Sequence, residues 1–273
     1  MGYIIVGLVL AIVGGVLWFI MGKKAVKLGM LEDTETSTVK EVYENFTSMS
    51  DSFGAGNFSL YTELKGTAFA NTPLQSEMSK KECVYYKATI KREYEELQKS
   101  RDSEGKVTKK WVRKSEEVSC NENTATGFAL KDCSGEILID MNGSEMYTIK
   151  SFSNFEQVPD NNDSSTKISI GGFSLTTKSN SATIRTIGYK SEEVSIPLNH
   201  QLYVLGDAND RSGKLMVSKP KDKKTPFIVS TKSEDELTAK LGSSVNGLKY
   251  GAFACFAIGG GLAIWGVIAM IMG

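Results

Sequence analysis

The residues able to do chemistry are few, and their spacing limits what they can do. The chain has one histidine, His200 in "IPLNHQLYV", and four cysteines, Cys83, Cys120, Cys133 and Cys255. A catalytic triad, a Cys–His dyad or a His–Cys metal site would each have to use His200. No cysteine lies close to it in sequence, and it follows a turn that enters a strand. It reads as a turn histidine rather than a catalytic one. There is no Cys-x-x-Cys pair, so no metal ligand and no cofactor site is expected. "GSSVNGLK" (242–249) falls short of a phosphate loop because Leu248 separates the second glycine from the lysine. Adjacent carboxylates occur at Glu116–Glu117 and Glu192–Glu193. Neighbours on a strand point to opposite faces, so neither couplet makes an acid–base dyad, and both are expected at solvated edges. "KKWVRK" (109–114) mixes cations with an aromatic ring, as an anionic surface would require. The acidic stretches "EYEEL" and "SEE" beside it cancel most of that charge. Nucleic acid is not an expected partner, and the chain as a whole carries 32 Lys and Arg against 32 Asp and Glu.

The elements that would carry these residues begin with two apolar ends. Every charged side chain lies between Lys23 and Lys249. Tyr3–Met21 is 19 residues, about 28 Å as a helix, close to the ~30 Å hydrocarbon core of a bilayer. Tyr250–Gly273 is 24 residues, about 36 Å, long enough to cross with tilt. Transmembrane helices are therefore expected over 1–22 and 249–272, and the lipid bilayer is the first expected partner. Basic residues follow the first span rather than precede it, which argues for a retained anchor over a cleaved signal. Lys23, Lys24, Lys27 and Lys40 after the first span, with Lys232, Lys240 and Lys249 before the second, place the body on the cytoplasmic side and both termini outside. Small residues recur every four positions, at Gly7, Ala11 and Gly15 and at Gly251, Cys255, Gly259 and Ala263. That spacing lets helix backbones approach closely in lipid, within one chain or between chains.

Between the spans, residues 23–57 form a juxtamembrane segment with an amphipathic helix. Thr38 and Glu41 suit a capping box, and Val39, Val42, Tyr43 and Phe46 make one apolar stripe. From residue 58 to 245 the chain is a succession of short segments rich in Val, Ile, Tyr, Phe and Thr, several alternating with period two. "DCSGEI" and "NDRSGKL" have hairpin-turn composition. "PDNNDSST" (159–166) is the strongest break and could divide the body into lobes near 58–158 and 167–231. Ser233 and Glu236 form a second capping box, opening a short helix through Leu241 that leads to the last span. The expected fold class is a mainly β (α+β) soluble domain flanked by two transmembrane α-helices.

Several phrases then fall in a telling order: "ELKGTAFANTPLQSEMSKKECVYYKATI", "KKWVRKSEEVS", "GFALKDCSGEILIDMNGSE", "IGYKSEEVSIPLNHQLYVLGDA" and "KTPFIVSTKSEDEL". With Cys83, Tyr85, Tyr86, Trp111, Gly135, Glu193, Pro197 and Gly206 in place, residues 60–240 resemble the GIDE, or beside-a-membrane, domain of membrane-anchored RING-type ubiquitin ligases. In those ligases the resemblance implies a RING finger after the second span, built on eight Cys/His zinc ligands. Four Cys and one His cannot supply that set, so a form lacking the RING is expected, without ligase activity of its own. The function expected is a non-enzymatic, membrane-proximal scaffold or sensor that binds a membrane-associated protein or itself. The alternatives are an oligomeric, membrane-perturbing effector and a ligase component served by a separate RING partner.

Overall fold

The computed structural model describes residues 2–54, 56–101, 103, 105–158, 167–170, 173–176 and 181–272. The break expected at 159–166 lies outside the described residues. In chain order the elements are α1 (Gly2–Asp33), β1 (Thr36–Ser37), α2 (Val39–Phe53), β2 (Ser59–Phe69), β3 (Leu74–Gln75), β4 (Glu82–Arg101) and β5 (Val107–Thr124). They continue with β6 (Ala129–Lys131), β7 (Glu136–Ile139), β8 (Glu145–Tyr147), β9 (Ile149–Gln157), β10 (Lys167–Ile170) and β11 (Phe173–Thr176). The last are β12 (Ile184–Pro197), β13 (Gln201–Asn209), β14 (Met216–Ser218), β15 (Ile228–Ser230) and α3 (Glu234–Met272).

The strands make a barrel, an open sheet and a separate antiparallel β10–β11 pair. In the barrel, β2 pairs β6, β6 pairs β7, β7 pairs β14, β14 pairs β13, and β13 returns to β2. The remaining stretches of β2 and β13 take β1 and the β15–β8 pair. β13 is buried on both sides, and its alternation sorts them. Leu202, Val204 and Ala208 enter the barrel core with Leu64, Leu130, Ile137 and Val217, whereas Tyr203 and Leu205 point outward. Gly206 is required here, since a Cβ would stand 2.7 Å from the Phe227 ring and 2.9 Å from Val217. α2 closes the barrel by burying Val39 and Val42. Its Thr38–Glu41 capping box forms as expected.

The open sheet runs β5–β4–β12–β9, with β3 on the first residues of β4. Strands from either side of 159–166 share both sheets, because β13 pairs β2 and β12 pairs β4. β4 and β5 form one long hairpin, in register from Tyr85↔Thr124 to Arg101↔Val107. At ~3.3 Å per residue β5 spans about 55 Å, and Tyr85 of β4, opposite its last residue Thr124, lies in the barrel core.

Among the described residues, two helices, α1 and α3, are long and apolar enough to cross a membrane. They run antiparallel and pack on each other. A Cβ on Gly7 would meet the Gly259 carbonyl at 2.6 Å, and Trp18 packs edge-on against Phe253 with centroids 5.7 Å apart. The side chains away from that seam, including Ile5, Leu8, Phe19, Ile258 and Trp265, are exposed. The short helix expected after Ser233 does not stop at Leu241. It continues unbroken to Met272, with Ser233 Oγ accepting from the Glu236 amide at 3.3 Å.

Candidate functional site

Most of the residues singled out in the sequence are buried parts of the framework. Cys83, Tyr85 and Tyr86 lie on β4, Glu193 and Pro197 on the adjacent β12, and Cys83 is the pairing partner of Pro197. Cys83 is 1% exposed, and burial, followed by the charge of Glu193, pushes its thiol up to about 11. A thiol so protonated is not a nucleophile near neutral pH. The Tyr85 hydroxyl donates to Glu122 at 2.8 Å, and Tyr86 accepts from Asn123 at 2.9 Å. Burial raises both phenols.

Glu193 corrects the expectation of a solvated edge. It is fully buried, and β12 is an inner strand, paired with β4 on one side and β9 on the other. Its carboxylate accepts the Met78 amide at 2.6 Å, the Ser79 amide at 3.2 Å, and the Ser79 and Ser151 hydroxyls at 2.7 and 2.8 Å. Burial alone would raise this carboxyl, but those donors hold it below the usual range. Glu193 thus ties the 76–81 turn to the sheet. Glu192, on the opposite face, pairs with Lys150 at 2.5 Å and Lys190 at 3.1 Å.

Trp111 stands apart on β5, with the Arg185 guanidinium 4.5 Å over its ring. Its basic neighbours are largely paired across the hairpin, Lys114 with Glu96 and Arg113 with Glu93. Gly135 lies in the β6–β7 turn against Val39, where Asp132 accepts the Val39 amide at 2.8 Å and Ser134 the Lys40 amide at 2.9 Å. That turn therefore serves as a socket for the start of α2. His200 follows a left-handed residue, Asn199, in the β12–β13 turn, and its carbonyl accepts the Ala68 amide at 2.8 Å. Among the described residues no group of three or more His, Cys, Asp or Glu could hold a metal ion.

Of the small residues expected at the helix seam, Gly7, Ala11 and Gly259 meet there, and a Cβ on Gly251 would stand 3.6 Å from Leu17. Gly15 is off it, with nothing near its Cβ position, and Gly14 takes its place against Phe256. Gly266, against Ile4, extends the seam. The four-residue rule errs by one position because a 3.6-residue turn drifts from it over about two turns.

The feature that sets the domain's relation to the helices is a cluster the sequence did not point to. Leu28 and Leu31 near the end of α1, with Leu237 and Leu241 at the start of α3, close over Tyr203, Leu205 and Ile228 on the outer face of the barrel. Beside this cluster, buried Glu63 accepts from the Tyr203 hydroxyl at 2.9 Å and Thr36 at 2.5 Å. Lys65 bridges Glu63 at 2.8 Å to Glu234 on α3 at 2.7 Å. Burial and the Glu63 charge raise the Tyr203 phenol, so it stays a donor. One signal was available: β13 is apolar on both faces, as a strand covered on both sides must be.

A family described as "GIDE: E3 Ubiquitin ligase" matches residues 95–264, which takes in Trp111, Gly135, Glu193, Pro197 and Gly206 and much of α3 but not Cys83, Tyr85 or Tyr86. No curated protein and no solved structure matches the chain.

Proposed function

The chain belongs to the GIDE family, and from that premise we propose that it is a two-pass membrane protein whose strand-rich domain binds a partner beside the bilayer without catalysing a reaction. One observation carries this reading. The helices α1 and α3 continue without interruption from their apolar lengths into the domain, where Leu28, Leu31, Leu237 and Leu241 clamp them to the barrel. A domain clamped at both ends holds a constant attitude to the membrane, which raises its effective concentration for membrane-associated partners. The partner surface is the β4–β5 hairpin, whose β5 edge pairs with no other strand among the described residues. The domain faces the cytoplasm and both termini lie outside, in keeping with the lysines next to both apolar lengths.

Two measurements test this. The full-length chain stays in the pellet after alkaline carbonate washing of vesicles, and in-membrane crosslinking with mass spectrometry places its adducts on β5. Release by carbonate, or crosslinks no richer on β5 than elsewhere, would overturn it. For sidedness, Cys120 and Cys133 are exposed on the domain. A membrane-impermeant maleimide leaves them unlabelled in intact cells and labels them after permeabilisation. The family's description favours a second reading, a ligase component that works with a zinc-bearing partner. Discharge of ubiquitin from a charged conjugating enzyme by the purified chain alone would establish catalysis and remove the first reading.

A further inference from the structure

Where α1 and α3 leave their apolar lengths, the two helices and β8 enclose a cavity of about 450 Å³. That volume is within the usual range of small-ligand sites, about 300–1,000 Å³. Lys23, Lys24 and Lys27 enter it from α1, Lys240 from α3, and Glu145 and Tyr147 from β8. Lys24 and Lys27 lie three and six residues beyond Met21, roughly 4.5 and 9 Å along the helix axis. These positions run from within the headgroup layer, about 5–7 Å thick on each side of the hydrocarbon core, to just beyond its outer edge.

The charges that line this cavity are out of balance, four lysines to one glutamate. Lys65, Lys87, Lys114 and Lys150 each have a carboxylate partner. In the cavity the one carboxylate, Glu145, is taken by Lys27 and by the Tyr147 hydroxyl at 2.5 Å. Burial would raise the Glu145 carboxyl, but those bonds and the Lys24 charge hold it below the usual range, so it stays ionised. Lys24 donates to the Ser244 hydroxyl at 2.7 Å, and Lys240 sits 5.3 Å over the Tyr147 ring. Lys23 sits 4.6 Å over Phe19. Neither hydroxyl nor ring cancels a full charge. Four ammonium groups facing one carboxylate leave an excess of positive charge, and a multivalent oxyanion among them would relieve the repulsion.

We propose that this cavity binds a phosphate group, presented either by an anionic lipid headgroup or as a free phosphate. Lys23, Lys24 and Lys240 provide the charge, and Lys27, held by Glu145 and Tyr147, forms the wall. The assignment rests on the proposed placement of α1 and α3 across a bilayer. Carbonate release would defeat that placement. A chain that stays in the membrane but shows no anion preference would defeat the cavity alone.

The experiment is native mass spectrometry of the full-length chain in detergent, titrated separately with phosphatidylcholine, phosphatidic acid and inorganic phosphate. Phosphatidic acid is retained and phosphatidylcholine is not. Displacement of that lipid by millimolar inorganic phosphate identifies the free anion as a sufficient ligand, and resistance to displacement identifies the lipid. The Lys23→Ala/Lys24→Ala/Lys240→Ala variant binds phosphatidic acid about 100-fold more weakly, taking roughly fivefold for each near-surface lysine. Lys81→Ala/Lys131→Ala/Lys214→Ala removes the same charge from exposed positions away from the cavity and the hairpin edge and binds normally. Glu145→Gln removes the competing carboxylate and binds several-fold more tightly, which keeps the test decisive if the triple-lysine variant fails to fold. Equal retention of the two lipids, an equal loss in both triple variants, or weaker binding by Glu145→Gln would overturn the proposal.

Discussion

The barrel and the β4–β5 hairpin belong to one domain but are held together by different forces. Inside the barrel, Leu64, Leu130, Ile137, Val204 and Val217 are at most 1% exposed and contact one another from strands that close on themselves. The hairpin is backed by β12, which pairs β4 only as far as Glu96, and its outer part carries charged pairs. Arg113–Glu93 and Lys114–Glu96 bind across the strands, and Arg185 on β12 reaches Glu95 at 2.5 Å and covers Trp111. Apolar interdigitation resists deformation because every void forfeits contacts, while exposed ion pairs contribute little and exchange readily with water. The part that must keep a constant relation to the helices has the first kind of support. The part that presents an open edge has the second.

Between the two lies a buried polar seam. Arg92, 4% exposed, donates to Thr186 at 2.9 and 2.7 Å and pairs with Glu116 at 3.1 Å. Glu193 holds the 76–81 turn a few residues along the same sheet. This seam ties β4, β5, β9, β12 and the 76–81 turn together within the open sheet.

Substitutions can break or sharpen this contrast. The largest effect is expected in the barrel, where Leu64→Ala lowers unfolding stability by about 2–5 kcal/mol, read from denaturant midpoints of the detergent-solubilised chain. Glu193→Ala follows, at about 2–3 kcal/mol, because it leaves the buried Met78 and Ser79 donors without an acceptor. Its acid profile adds a direction. The folded Glu193 carboxyl lies below its ordinary value, so its contribution is complete above the ordinary carboxylate range and is lost as pH falls through the folded value. Thermal midpoints of the parent chain should therefore fall on acidification more steeply than those of Glu193→Gln. Smaller again is Gly15→Leu, which should leave the pairing of α1 and α3 unchanged, whereas Gly7→Leu should separate them. Crosslinking between cysteines placed at Ala11 and Ala263 reads that difference. The smallest effect belongs to the hairpin: Arg113→Ala and Lys114→Ala should each shift stability by less than about 1 kcal/mol. A hairpin ion pair that cost as much as Leu64→Ala would erase the distinction between the regions.

The sequence alone was enough for every feature that depends on neighbours along the chain. The two apolar lengths, the Thr38 and Ser233 caps, the turns at 132–135 and 210–213 and the strand-rich body all follow from local periodicity and turn chemistry. Only the tertiary structure decided what depends on residues far apart. The period-two pattern gives Glu192 and Glu193 opposite faces, but whether either face is wet depends on β4, β9 and the 76–81 turn, which arrive from up to 115 positions away. The helix seam selects Gly14 over Gly15 because the partner helix fixes the rotation. The lysine cavity joins residues 23–27 to Glu145, Tyr147 and Lys240, and no linear pattern announces it. Local propensity is a sum over near neighbours, while burial and charge pairing depend on which strands meet, and that pairing is settled only when the barrel closes.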